Sequence, residues 1–279
     1  MKLIGYTARL IGRRPIAAAL LGLAVLLYCI ADRLNPVMPI LLGLGNVTGG
    51  SIFENTISFL QLILDPGIIL PLLLFVILFS VLSAAAAGAI TSCFFHMVHN
   101  ALEGKKRTPR EFIEGFRKYF LRMSLISLRI IGIGVGTAAV LLVSSVPAMI
   151  VINSAKSSKP ELFLAALFVS LLTAGIIFFS LMFFRSYMFF WFPAAFYEEG
   201  KAFSAAKKMV DEHFWNIASK YLAFDVIFVI FQLLVSSMKD SALLLIVKWC
   251  FGTIFLLLFS TYLFTTYKRF GVNNRESKA

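Results

Sequence analysis

Charged residues and cysteines are both scarce in this chain of 279 residues. Only 14% of the residues are charged and 59% are hydrophobic, whereas soluble domains average about 25% charged residues. One soluble core of this length cannot bury so much apolar surface, which excludes an ordinary soluble globular protein. The three cysteines, Cys29, Cys93 and Cys250, lie far apart in or beside apolar runs. This placement indicates small packing residues rather than a disulfide or a metal site.

Catalytic motifs are missing as well. The sequence has no His-Glu-x-x-His pair, no Gly-x-Ser-x-Gly elbow, no Walker loop and no paired carboxylates in a loop. These absences disfavour an enzyme and predict no cofactor. The run Gly132-x-Gly134-x-Gly136 lies inside an apolar stretch and follows no predicted strand. It therefore favours close helix packing over phosphate binding.

Long apolar runs dominate the sequence instead. A helix that crosses a bilayer core of about 30 Å needs roughly 20 apolar residues. Several runs reach or exceed that length, and they predict an all-α polytopic membrane helical bundle that forms a single integral membrane domain over residues 1–279. The six predicted transmembrane helices are Ile16–Ala31, Ile68–Val98, Met123–Ile152, Leu162–Pro193, Tyr221–Ser237 and Ala242–Tyr267.

One short phrase occurs twice in the chain, 96 residues apart. It reads Glu103-Gly104-Lys105-x-x-Thr108 in the first copy and Glu199-Gly200-Lys201-x-x-Ser204 in the second. Each copy ends a long apolar run and opens a basic amphipathic segment. The phrase predicts a parallel internal repeat of two membrane hairpins, about 68–152 and 162–237, with elbows at about 103–120 and 199–217.

The elbows carry helix-start signals followed by apolar stripes. Thr108-Pro109-Arg110-Glu111 combines an N-cap, a proline at the first helical position and a capping-box carboxylate. We therefore expect separate interfacial helices that lie among the lipid headgroups, with weaker examples at Leu3–Arg14 and at 51–64. The two stripes comprise Phe112, Ile113, Phe116, Tyr119 and Phe120 in the first elbow, and Met209, Val210, His213 and Ile217 in the second.

Basic residues are distributed unevenly among the loops. Of the 26 Lys and Arg residues, 21 lie in the two elbow regions and the termini, and 5 lie in the other loops. This bias predicts a multi-pass protein of the cell (cytoplasmic) membrane with both termini in the cytoplasm. The predicted partners are anionic lipid headgroups or a soluble cytoplasmic protein, and no nucleic acid. The candidate contacts are Lys105, Lys106, Arg107, Arg110, Arg117, Lys118, Lys207 and Lys208.

A few polar residues fall in or beside the apolar spans. Asp225 and Gln232 are seven residues apart, so they share a helical face, and arginines near span ends could pair with Asp225. We expect a structural ion pair in preference to a substrate or proton site. The candidate intramembrane polar site consists of Asp225, Gln232, Arg129 and Arg185. His96 and His99 are three residues apart, which favours an interfacial pair over a metal site because no third strong ligand is adjacent.

Together, these features resemble a family. Six spans, a basic amino terminus and two Glu-Gly-Lys elbows (Glu103 to Phe120 and Glu199 to Ile217) are similar to bacterial integral membrane proteins related to the membrane domain of some glycerophosphodiester phosphodiesterases. The resemblance covers most of the chain from Ile68 onward. In those fusions the chemistry belongs to a separate soluble barrel, which this chain lacks. The resemblance implies a bacterial cytoplasmic-membrane protein and carries over no catalytic residue.

Three classes of function follow from the sequence. The first is a non-catalytic membrane scaffold or accessory protein that serves lipid or envelope homeostasis. The second is a permease subunit of a transporter, in which the elbows dock on an ATP-hydrolysing partner. The third is an intramembrane lipid-modifying enzyme, which the missing catalytic motifs disfavour.

Overall fold

A computed structural model describes residues 2–34, 66–157, 163–198, 200–238 and 242–272, and every regular element in these ranges is a helix. The two amino-terminal helices are α1 (Lys2–Arg13) and α2 (Pro15–Leu34). They are followed by α3 (Pro66–Leu102), α4 (Glu111–Ser157), α5 (Phe163–Met188) and the short α6 (Trp191–Tyr197). The chain continues with α7 (Ala202–Ser236), α8 (Ala242–Tyr267) and a π-helical turn, Lys268–Val272.

Six helical segments are long and apolar enough to cross a membrane, which confirms the predicted all-α polytopic bundle. They are Pro15–Arg33, Leu73–Leu102, Glu111–Leu141, Phe163–Tyr197, Ala202–Ser236 and Ala242–Val272. The amphipathic helix predicted over residues 51–64 lies outside the described residues.

The first elbow does not form a separate helix, although the sequence predicts one. Here α4 begins at Glu111 and runs without interruption to Ser157. The prediction was wrong because Leu121 and Arg122, which join the elbow to the span, are both good helix formers. In the second elbow, α7 has a kink at His213, whose φ of −128° and ψ of 19° are not helical. The kink divides the elbow part of α7 from the part that continues into the span.

The two apolar stripes have different environments. Phe112, Ile113 and Phe116 of the first elbow are exposed, whereas Tyr119 is buried. In the second elbow Met209, Val210 and Ile217 are buried. The second stripe therefore packs on protein and not on lipid headgroups, since α7 lies against the rest of the bundle along this face.

Gly104 ends α3 in a Schellman motif. Its φ is +70°, a left-handed value that glycine adopts without a steric penalty. The Lys105 N–H donates to the Asn100 carbonyl at 3.0 Å, and the Gly104 N–H donates to the Ala101 carbonyl at 3.2 Å. Gly200, the equivalent glycine of the second phrase, has φ +81°. Glu199 lies outside the described residues.

The chain packs as two compact units. Unit 1 comprises Met1–Arg33, Ala84–Leu128 and Phe184–Ala279, and unit 2 comprises Leu34–Ser83 and Arg129–Phe183. In unit 2, Phe75 and Phe79 of α3 stack with ring centroids 5.9 Å apart, and many apolar side chains of this unit are exposed, among them Leu164 and Leu171. The single domain 1–279 with its two hairpins stays a prediction.

The core of unit 1 joins α2 to α8. Leu21 and Val25 of α2 pack in one cluster with Leu257 and Phe264 of α8. The Trp249 indole of α8 donates to the Gly22 carbonyl of α2 at 2.7 Å. Residues more than 200 positions apart in sequence are thereby held side by side.

Candidate functional site

Helix α1 lies on the bundle with one buried face. Thr7, Leu10 and Arg14 recur at helical spacing and are buried, while Ile4 and Ile11 are exposed. Leu10 belongs to the same core cluster as Phe264 of α8. This packing brings the amino-terminal helix against the carboxy-terminal end of the last helix.

A cavity of about 730 Å³ opens between α1, α7 and the end of α8. Three cations line it, namely Lys220 of α7 and Lys268 and Arg269 of the π-helical turn. Lys220 Nζ lies 5.9 Å from the centre of the Tyr262 ring, a cation–π arrangement that fixes this side chain at the wall. Aromatic and threonine side chains form the rest of the wall, including Tyr6, Tyr262, Thr265, Thr266 and Phe270.

A second cavity of about 230 Å³ adjoins the first at Tyr6 and Leu102. Arg9 and Arg13 of α1 line it, together with Gly104 of the first elbow. Tyr6 and Leu102 line both cavities. We call the two adjoining cavities the basic groove and its cations Arg9, Arg13, Lys220, Lys268 and Arg269.

The groove is electropositive, with one carboxylate close by. None of the described residues that line it is acidic. Glu103 Oε1 lies 2.7 Å from Lys268 Nζ and accepts a hydrogen bond from the Tyr197 hydroxyl at 3.2 Å. Burial raises the pKa of Glu103, but these hydrogen bonds and the charge of Lys268 outweigh it and hold the pKa below 4.5. Glu103 therefore partly neutralises Lys268 at neutral pH.

A buried polar network anchors α1 beside the groove. Arg14 Nε lies 2.9 Å from Glu111 Oε2, and both side chains are buried. Arg14 Nη2 also donates to the Lys105 carbonyl at 3.1 Å. The Asn100 amide donates to Glu111 Oε1 at 2.8 Å and contacts His96 Nε2 at 3.1 Å. Arg14 thus holds the start of α4 against the end of α1, and Asn100 holds it against α3.

The predicted headgroup contacts lie outside the groove. Lys105, Lys106, Arg107 and Arg110 are exposed on the loop between α3 and α4. Arg117 and Lys118 are exposed on α4, and Lys207 and Lys208 are exposed on α7. None of these eight residues lines either cavity. The structure thus places them on the surface and assembles the groove from other cations.

The predicted intramembrane polar residues are only partly brought together. Arg185 Nη1 lies 2.6 Å from Asp225 Oδ1, and the Arg185 guanidinium lies 5.3 Å from the centre of the Tyr221 ring. Gln232 instead lines a different cavity of about 440 Å³ together with Asp32 and Lys248. Seven residues span about 10 Å along a helix, which separates the two side chains despite their common face. Arg129 lies in unit 2.

The two histidines pack against aromatic rings. His99 meets Tyr197 edge-on with centroids 4.7 Å apart, and both His96 and His99 stack on Phe196. Within the described ranges, no three His, Cys, Asp or Glu side chains are grouped as metal ligands would be. The histidines therefore contribute to packing around α6.

Sequence reasoning missed the groove because its cations come from three distant segments. Arg9 and Arg13 precede Lys220 by about 200 residues, and Lys268 and Arg269 follow much later. The available signal was the basic character of both chain ends.

In comparisons with family models, with curated proteins and with solved structures, the chain matches none of them. The resemblance to the phosphodiesterase membrane domain thus stays a prediction.

Proposed function

We propose that this protein is a non-catalytic membrane scaffold of the bacterial cytoplasmic membrane that binds anionic lipid headgroups in the basic groove. One observation carries the proposal: five cations converge on adjoining cavities whose described lining residues include no acid. Such a lining suits the phosphate of a lipid headgroup. The role in lipid or envelope homeostasis would follow from holding that lipid beside the bundle.

The location of the groove supports a lipid in preference to a soluble anion. All six helical segments that could cross a membrane contribute residues to unit 1, the unit that contains the groove. Helix α1 exposes Ile4 and Ile11 next to its arginines, a pattern typical of helices at a headgroup boundary. Each basic side chain near an anionic surface contributes about 1 kcal/mol of attraction.

The permease and lipid-modifying alternatives have less support. Short free-standing cytoplasmic helices would favour docking on an ATP-hydrolysing partner. The first elbow instead continues directly into the long helix α4, and the stripe of the second elbow is buried at Met209, Val210 and Ile217. An enzyme needs a nucleophile, a base or a metal beside its substrate. The groove offers cations and hydroxyl groups, which bind phosphate without cleaving it.

The test compares two full-length variants that lose the same number of charges. The groove variant is R9Q/R13Q/R269Q, and the control variant is K106Q/R107Q/R110Q in the exposed loop. Native mass spectrometry would count phosphatidylglycerol molecules retained after extraction from mixed phosphatidylglycerol and phosphatidylcholine vesicles. We expect the groove variant to lose most of the retained anionic lipid and the loop variant to keep it. Equal losses in both variants would contradict a groove and favour a diffuse basic surface.

A further inference from the structure

The basic groove holds its cations in two sets. Lys220, Lys268 and Arg269 surround the larger cavity. Arg9 and Arg13 surround the smaller one. Tyr6 and Leu102 stand between the sets because they line both cavities. Two anionic groups could therefore bind at once, one on each side of Tyr6.

Helix α1 carries the smaller set. Arg9 and Arg13 are one turn apart on the same helical face, so their guanidinium groups can hold one phosphate between them. Tyr6, one turn before Arg9, lines both cavities together with Leu102. Both phosphate positions therefore adjoin the same two side chains, and a short flexible bridge across Tyr6 can join them.

The charge on each side fits one phosphodiester. Two cations face the smaller cavity. Three face the larger cavity, but Glu103 pairs with Lys268 there, which leaves an excess of two positive charges. A lipid with one phosphate can satisfy only one side, and the other set would stay without an anion.

We propose that the groove selects lipids with two phosphates joined by a short polar bridge. This proposal rests on the proposed function. The matching class is the diphosphatidyl glycerolipids, of which cardiolipin is the probe used below. One phosphate binds Arg9 and Arg13, and the other binds Lys220, Lys268 and Arg269. The bridge crosses Tyr6, and the acyl chains lie along the exposed apolar side of α1 at Ile4 and Ile11.

The selectivity has a simple origin. After the first phosphate has bound, the second is tethered near its own cations, so its effective concentration is high. We expect the full-length protein in detergent to bind cardiolipin at least about tenfold more tightly than phosphatidylglycerol at equal phosphate concentration. The measurement is a titration of the labelled protein by microscale thermophoresis, with soluble pyrophosphate as a third ligand.

Two variants separate the sets. R9Q/R13Q should reduce cardiolipin affinity at least about tenfold, to that of phosphatidylglycerol, and should weaken phosphatidylglycerol binding much less, because the larger cavity still binds one phosphate. K220Q/R269Q should weaken the binding of both lipids. K106Q/R107Q serves as the control with the same loss of charge. All four substituted groove residues are exposed, so each variant should fold, which size-exclusion chromatography would verify.

Each contrary result has a distinct meaning. Equal affinity of the wild-type protein for the two lipids would overturn the two-phosphate proposal and leave the proposed function intact. A wild-type protein that binds neither lipid would overturn both. An R9Q/R13Q variant that loses affinity for both lipids equally would show a single site. Pyrophosphate binding as tight as cardiolipin binding would make a soluble diphosphate the ligand.

Discussion

Arg14 and Glu111 form a buried ion pair across 97 residues of sequence, with Arg14 Nε 2.9 Å from Glu111 Oε2. The side chains are 3% and 6% exposed. Loss of one member leaves the other charge buried without a counterion, which costs about 3–5 kcal/mol. We expect Arg14→Gln and Glu111→Gln each to lower the melting temperature of the detergent-solubilised protein markedly.

The double variant R14M/E111L tests whether charge is the cause. Replacement of both partners by apolar residues removes the unpaired charge, so it should restore part of the lost stability. Arg110→Gln, at an exposed position next to Glu111, is the control and should change little. A double variant less stable than either single variant would mean that the lost hydrogen bonds to Asn100 and Lys105 dominate.

Gly88 of α3 lies against Ser124 of α4. A Cβ there would lie 2.7 Å from the Ser124 backbone nitrogen and closer still to Ser124 Oγ. Gly88→Ala should therefore force the helices apart and destabilise the protein by about 1–3 kcal/mol. The measurement is the thermal midpoint in detergent. The matched control is Gly136→Ala, where an added Cβ meets no described atom within 4 Å and helix propensity favours alanine by about 1 kcal/mol. Equal midpoints for the two variants would contradict the close approach.

The Arg185–Asp225 pair predicts a reciprocal effect. Asp225→Asn removes the negative charge of a 2.6 Å charge-assisted hydrogen bond, and leaving Arg185 without that charge should cost about 1–3 kcal/mol. Arg185→Gln added to Asp225→Asn should recover part of that loss, whereas Arg129→Gln should not. Folded yield after size-exclusion chromatography is the readout. Recovery with Arg129→Gln instead would identify Arg129 as the partner of Asp225.

Glu103 gives the groove a pH dependence. A carboxyl group whose pKa is lowered in the folded state stabilises the fold above its unfolded value, and this contribution is lost as pH falls through the folded pKa. As the pH falls through the lowered pKa of Glu103, this carboxyl group becomes protonated and frees Lys268, while a lipid phosphodiester stays charged. Affinity for anionic lipid should thus rise as the pH falls through that pKa. Glu103→Gln should bind tightly at every pH, and the control Glu114→Gln should behave as wild type.

The membrane orientation can be tested by labelling. The positive-inside bias predicts that cysteines at Lys106 and Lys207 are accessible from the cytoplasm and a cysteine at Lys156 from outside. The background should lack Cys250, which is exposed, whereas Cys29 and Cys93 are buried. A membrane-impermeant maleimide applied to intact cells should label only the Lys156 position. Labelling at Lys106 from outside would reverse the orientation.

The sequence predicted the parts of this structure that depend on local composition. Six apolar runs predicted six long helices because lipid offers no hydrogen-bond partners. A helix pairs all of its backbone N–H and C=O groups within one segment. The repeated Glu-Gly-Lys phrase marked the two helix ends, and Gly104 and Gly200 both have the left-handed backbone that such ends favour.

Long-range relationships were beyond the local patterns. Glu111 fits a capping box by spacing, yet its carboxylate binds Arg14 and Asn100 instead. Nothing near position 111 indicates a partner 97 residues earlier. The groove was missed for the same reason. Arg9 and Lys268 line adjoining cavities only because α1 packs on the end of α8. The interfacial reading of Met209 and Val210 was wrong because a stripe that faces lipid and one that faces protein have the same period.

The hydrogen bond from Trp249 to Gly22 has a consequence for biosynthesis. Ribosomes add about 5–20 residues per second, so the 227 residues between these two positions require on the order of 10–50 s of translation. Throughout that time α2 is present without its contact to α8. A nascent chain that stops before residue 249 lacks this hydrogen bond, so its α2 surface around Gly22 would stay open to membrane proteases until α8 packs there.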